Sequence, residues 1–134
     1  MLDHADFEFA FDKKVIGVDL KSRVHEVEDL KLTAVHEAGH TLVAYFTKEA
    51  EKIHKVTIIA KGQSGGHTAF VPNKEYDLQK NCNQLLAQID VAMGGRAAEE
   101  LEFGLQNITG GAMMDLSQAN EIGMFKNRVP MAQW

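Results

Sequence analysis

The chain has 134 residues, enough for one domain with a core of its own. Its 14 Lys+Arg against 19 Asp+Glu give a net charge of −5 with no long basic block, which argues against nucleic acid as a partner. At 45% apolar and 25% charged the composition is globular. The longest apolar stretches, such as Leu42 to Phe46 and Val56 to Ala60, fall far short of the roughly 20 residues of a bilayer span, so no membrane span is expected in this chain. The opening MLDHADFEFAFDKK is acidic where a signal peptide needs a basic start and an apolar centre, so it predicts no export. Cys82 stands alone, has no internal disulfide partner and fits a reducing compartment.

Phe7, Phe11 and Val15, followed by Gly17, predict a short amphipathic helix over 6–14, and a charged irregular stretch comes next. From 29 to 47 the residues Leu32, Val35, Ala38, Leu42, Val43 and Phe46 recur three or four apart, predicting one helix with a buried stripe. Residues 53–60 are β-branched and alternating, KGQSGG follows at 61–66, and 68–71 is again extended before Pro72, predicting two strands joined by a loop. A helix is expected over 76–93, a stop at Gly94-Gly95, and a new helix over 96–103. Residues 104–111 read as a loop and 115–125 as a last helix.

Within the 29–47 helix lies His36-Glu37-Ala38-Gly39-His40, an HExxH. A shuffled chain with 6 His and 11 Glu would contain that pattern with odds of about 0.02. Residues four apart share a helix face, so both imidazoles can reach one tetrahedral Zn²⁺ at about 2.0–2.1 Å. Glu37, directly after His36, then points beside the metal, placed to take a proton from water as a general base. The bland alternative is a surface helix with two solvated histidines. Gly39 in mid-helix costs roughly 1 kcal/mol relative to Ala, which calls for a reason such as close approach of another backbone or of the metal site. A catalytic zinc takes three protein ligands plus water. No histidine follows His67, which leaves Glu75, Asp77, Asp90, Glu99, Glu100, Glu102, Asp115 and Glu121 as candidates that spacing does not separate. For Asp115, at the start of the last helix, ligand and N-cap stand even on local chemistry.

The stretches AVHEAGHTLVAYFTK (34–48), KVTIIAKGQSGGHTAFVP (55–72), LLAQIDVAMGGRAAEELEFG (85–104) and TGGAMMDLSQA (109–119) resemble, in order and spacing, successive landmarks of the FtsH-type AAA metallopeptidases. With DFEFAFDKKVIGVD near the start, the likeness is to the mitochondrial inner-membrane i-AAA branch and spans about residues 6–122. The resemblance implies a zinc site of His36, His40 and Asp115, Glu37 as catalytic base, and a substrate groove along Gly65, Gly66, His67, Thr68, Ala69 and Phe70. It implies polypeptide substrates, unfolded or membrane-associated, and a hexameric AAA ATPase as working partner. By the same resemblance the location is the mitochondrial inner membrane, with a bacterial or plastid membrane as the other setting.

The fold expected is α+β and mainly helical, a zincin-like peptidase domain with a small β-hairpin packed on the HExxH helix. By the resemblance, residues 1–28 read as a connector from an AAA module and 29–134 as the peptidase domain, cut short at its C-terminus; no G-x-x-x-x-G-K-[ST] occurs in the chain, so no ATPase module is expected within it. Two departures from the family pattern stand in the Asp115 loop: Gly110 replaces a Thr, and Met113-Met114 replace a polar pair. They motivate the alternative of a catalytically silent member serving as an assembly or adaptor module. A closed four-ligand zinc site would instead mark a non-peptidase zinc module.

Other positions carry plainer expectations. Glu99 and Glu100 could hydrogen-bond a zinc-bound imidazole, but a solvated helix face is expected of each, with Arg96 paired to such a carboxylate. His67 is expected to be structural or at the surface, and His4, His25 and His54 solvated. Met113, Met114 and Met124 read as core or gap-filling residues, and Cys82 as a small hydrophobe.

Overall fold

The structure is a computed structural model and describes residues 3–15, 27–60, 65–71 and 80–128. Its elements are helix α1 (His4–Val15), helix α2 (Val27–Phe46), strand β1 (Lys52–Thr57), strand β2 (His67–Val71), helix α3 (Cys82–Phe103) and helix α4 (Met113–Arg128). Two short 3₁₀ turns, Leu105–Asn107 and Gly110–Ala112, link α3 to α4. The mainly helical α+β arrangement is as expected. Residues 61–64 of the expected Gly-rich turn at 61–66, the helix start at Tyr76, His25 and the ligand candidates Glu75 and Asp77 lie outside the described residues.

Glycine decides how the two longest helices meet. A Cβ on Gly39 would sit 2.3 Å from the Gly94 carbonyl oxygen, and one on Gly94 would sit 2.8 Å from the Gly39 carbonyl oxygen. Only a pair of glycines lets α2 and α3 approach backbone to backbone, which accounts for a mid-helix glycine in the HExxH. The expected stop at Gly94-Gly95 is therefore corrected: α3 runs unbroken through both. The local stop signal is overridden because the glycines are held in the helix–helix contact. The helix begins with a capping box, in which Asn81 accepts from the Gln84 backbone N–H and the Gln84 side chain accepts from the Asn81 backbone N–H. It ends at Gly104, whose φ of 86° suits a residue without Cβ.

Close approach also changes which face of α2 is buried. The expected stripe of large apolar residues is corrected, because Leu42, Phe46 and Ala38 are exposed. Glu37, Gly39, His40 and Ala44 are the buried residues. Small residues allow α3 to come near, and the polar site residues between them are carried inward. The buried apolar residues are accordingly alanines: Ala44, Ala60, Ala69, Ala87, Ala92 and Ala112. The largest fully buried side chain among the described residues is Glu99.

Strands β1 and β2 pair antiparallel from Lys52↔Val71 to Thr57↔His67. Ile53 faces Phe70 while Lys55 faces Ala69, which makes His54 the extra residue of a bulge. The hairpin packs on α2, and α4 packs on α3, so side chains from α2 and α4 can meet over the surface of α3. On α1, Phe7 and Phe9 stay exposed, and Phe11 stands edge-on to His54 with ring centroids 5.5 Å apart. Met113, Met114 and Met124 are exposed rather than core-filling. No helix among the described residues is long and apolar enough to cross a membrane.

Candidate metal centre

His36 and His40, one helical turn apart, point their Nε2 atoms at a common point, 3.0 Å from each other. Asp115, in the first turn of α4, brings its Oδ2 to 3.1 Å from His36 Nε2 and 3.4 Å from His40 Nε2. Asp115 is thus inside the helix with its carboxylate on the histidines, and the N-cap role is excluded. Among the described residues these three form the one cluster of His, Cys, Asp or Glu with ligand atoms close enough to share a metal ion. Glu100 and Glu121 are exposed and stand outside it, as does Asp90.

The other ring nitrogens fix what Nε2 presents. His40 Nδ1 lies 2.7 Å from the Val91 carbonyl oxygen, which can only accept, so Nδ1 carries a proton and donates it. His36 Nδ1 lies 2.7 Å from Glu99 Oε1 and donates to that carboxylate. In the neutral tautomers both Nε2 lone pairs therefore face each other and a carboxylate oxygen. Three acceptors converging on one point repel unless a cation stands among them. Bonds of about 2.0–2.1 Å at tetrahedral angles place ligand atoms about 3.3 Å apart, which the observed 3.0, 3.1 and 3.4 Å approach. The three side chains fit a zinc ion, and three protein donors are the number a catalytic zinc site takes.

Protons can fill the same role in the metal-free chain. Burial pushes both imidazoles down, but hydrogen bonds to Asp115, with Glu99 for His36 and the Val91 carbonyl for His40, outweigh it and raise both above the usual histidine value. Burial likewise pushes the Asp115 carboxyl up, and the two imidazoles reverse this, holding it at about 2. A metal ion bound there would have to displace those protons.

Helix α3 lines the floor with one face. Val91, Gly95 and Glu99 recur four apart: the first binds His40, the third binds His36, and Gly95 makes room for both rings. A Cβ on Gly95 would fall 2.6 Å from His36 Cε1 and from His40 Nε2. The solvated reading of Glu99 is corrected, since its side chain is buried against His36, while Glu100 is exposed as expected. Arg96 makes no ion pair with either carboxylate among the described residues.

Glu37 is buried, and its Oε2 accepts from Thr68 Oγ1 at 2.6 Å. Its backbone carbonyl accepts from Thr41 Oγ1 at 2.7 Å. Thr68 thus ties β2 to the acid beside the histidines, a role no sequence signal marked. A Cβ on Gly66 would stand 2.6 Å from Thr33 Cγ2 and 3.0 Å from Glu37 Cγ, so the start of β2 can lie against α2 only as glycine. Residues Gly65 to Phe70 line one wall of a cleft of about 970 Å³ that also contains His36, Glu37, His40 and Asp115. His67 is half-buried in that wall and is not one of the metal cluster.

An HExxH pair completed by a carboxylate from a second helix defines a metallopeptidase-type centre. The chain belongs to peptidase family M41, whose family model matches residues 23–128. It is 52% identical over 116 residues to the ATP-dependent zinc metalloprotease YME1L of Drosophila melanogaster, covering 86% of this chain. It is 47% identical over 125 residues, 92% of this chain, to the ATP-dependent zinc metalloprotease FTSH 11, chloroplastic/mitochondrial, of Arabidopsis thaliana. The FtsH protein of Mycobacterium tuberculosis, also an ATP-dependent zinc metalloprotease, shares 44% over 115 residues, 86% of this chain. The chain spans about 15% of the length of each of these relatives. The resemblance to the FtsH family and its mitochondrial i-AAA branch is borne out, and zinc is the cofactor these relatives are named for.

Proposed function

We propose that this chain is the zinc metalloendopeptidase portion of an ATP-dependent protease of the FtsH/i-AAA type. The observation that carries the reading is the convergence of two Nε2 lone pairs and the Asp115 carboxylate, with Glu37 beside them in the same cleft. His36, His40 and Asp115 would hold the metal. Zinc bound there would supply Lewis acidity, toward a scissile carbonyl and toward a water whose proton it would make easier to release. Glu37 accepts that proton and returns it to the leaving amine, while the Thr68 hydroxyl fixes one carboxylate oxygen and so orients the other. The edge from Gly65 to Phe70 binds an extended polypeptide by main-chain pairing. Substrates are unfolded or membrane-associated polypeptides, delivered by a AAA ATPase in a hexameric assembly at the mitochondrial inner membrane.

The test uses the chain alone on an unfolded casein-like substrate and on a stable folded domain, with and without ATP. Slow casein cleavage, blocked by a chelator and indifferent to ATP, is expected, with the folded domain left intact. ATP-stimulated degradation of the folded domain by this chain would contradict the proposal. A chain that binds zinc and leaves casein untouched would be the silent module instead.

A further inference from the structure

The buried carboxylate of Glu99 has two oxygens and uses them in different directions. Oε1 accepts from His36 Nδ1 at 2.7 Å on α2. Oε2 accepts from the backbone N–H of Thr109 at 2.9 Å and from its hydroxyl at 3.1 Å, in the link that leads into α4. The same Thr109 hydroxyl oxygen accepts from the Gly111 N–H at 3.2 Å, closing the 3₁₀ turn that delivers Asp115 to the site. One fully buried side chain on α3 therefore joins a histidine of one helix to the loop carrying the acidic ligand of another.

The sequence of that loop sharpens the point. From 109 to 114 it reads Thr-Gly-Gly-Ala-Met-Met, so Thr109 has its only hydrogen-bonding side chain apart from the weakly accepting methionine sulfurs. Met113 and Met114 are exposed at the cleft, Ala112 is the loop's buried apolar residue, and Gly110 and Gly111 contribute no side chain to hold it. Beside the packing of α4 on α3 and the Asp115–histidine contacts, the Thr109–Glu99 hydrogen bonds are what tie this loop to the floor of the site.

We propose that Thr109 is a positioning residue: its hydroxyl latches the Asp115 loop to Glu99, so that the third ligand is in place when zinc binds. The proposal rests on the zinc site described above, and it concerns metal affinity rather than the hydrolytic step. A ligand held in position beforehand loses less freedom on binding, and loss of such supporting contacts lowers metal affinity by about 10–100-fold.

The experiment measures zinc affinity of the full chain by competition with a chromophoric chelator, for the parent, Thr109→Val, Thr109→Ser, Asp115→Ala and the Thr109→Val/Asp115→Ala double variant. Thr109→Val should lose about tenfold or more, because Val keeps the N–H contact but not the hydroxyl. Thr109→Ser, which keeps the hydroxyl, should bind as the parent does. In the Asp115→Ala background Thr109→Val should have no further effect, since the latch acts through Asp115. Thr109→Ala, less bulky in the turn, is the second variant with the same expectation as Thr109→Val.

Unchanged affinity in both hydroxyl-deletion variants overturns the proposal. So does an equal loss with Asp115 already removed, which would place the effect on His36 through Glu99. Loss of the metal-free helical signal in both variants also overturns it, because the hydroxyl would then be holding the fold. A parent chain that takes up no stoichiometric zinc refutes the metal site itself, a result distinct from all of these.

Discussion

Glu37→Gln is expected to bind one zinc per chain as tightly as the parent, while hydrolysis of an unfolded substrate falls by about 10²-fold to 10⁴-fold. Glutamine has the shape of glutamate, and its amide oxygen can still accept the 2.6 Å bond from Thr68, so the buried setting is preserved. What it loses is basicity: an amide oxygen does not take the proton of an attacking water. Because Glu37 is not one of the three converging ligand groups, metal binding has no reason to change. Zinc content by elemental analysis and initial rates on casein measure the two effects separately. Equal rates in the two proteins would sink the assignment of Glu37 as the base.

Asp115→Ala should lower zinc affinity and hydrolysis together. Two histidines leave zinc one short of the three protein ligands of a catalytic site, and the loss should exceed the 10–100-fold produced by removing a mere supporting contact, reaching roughly 10²-fold or more. The carboxylate's contribution to the site is visible without the metal, since it holds both imidazoles toward their charged forms and is itself held at about 2 by them. Retained metal in Asp115→Ala, together with loss of metal in Glu75→Ala or Glu100→Ala, would show that another acid completes the site.

The residues that sequence made legible are those whose spacing is local. The HExxH places its two histidines by helical geometry alone, and the two strands follow from β-branched alternation on either side of a Gly-rich stretch of sequence. Asp115 lies 75 residues beyond His40, and no periodicity spans that distance; only the family resemblance points to it. The continuity of α3 was hidden because Gly-Gly is a local stop signal, whereas here the pair is the contact surface for Gly39 and the imidazoles. Glu99 was misplaced for a related reason: adjacent acids point about 100° apart on a helix, and nothing in Glu-Glu says which faces inward. The sign was present one turn earlier, because a glycine at 95 needed by the histidines puts 91 and 99 on the same face. The bulk of the apolar residues on α2 misled in turn, since close packing selected its small residues and left Leu42 and Phe46 outside.

The central claim is that His36, His40 and Asp115 form one zinc site with Glu37 beside it, unligated. Crystals of the full chain grown with zinc, and measured on both sides of the zinc absorption edge, test it directly. The account predicts a single anomalous peak at about 2.0–2.2 Å from His36 Nε2, His40 Nε2 and an Asp115 carboxylate oxygen, with Glu37 outside bonding distance. A peak ligated by Glu37 or by Glu99 in place of Asp115, or no peak between the two histidines, would contradict it.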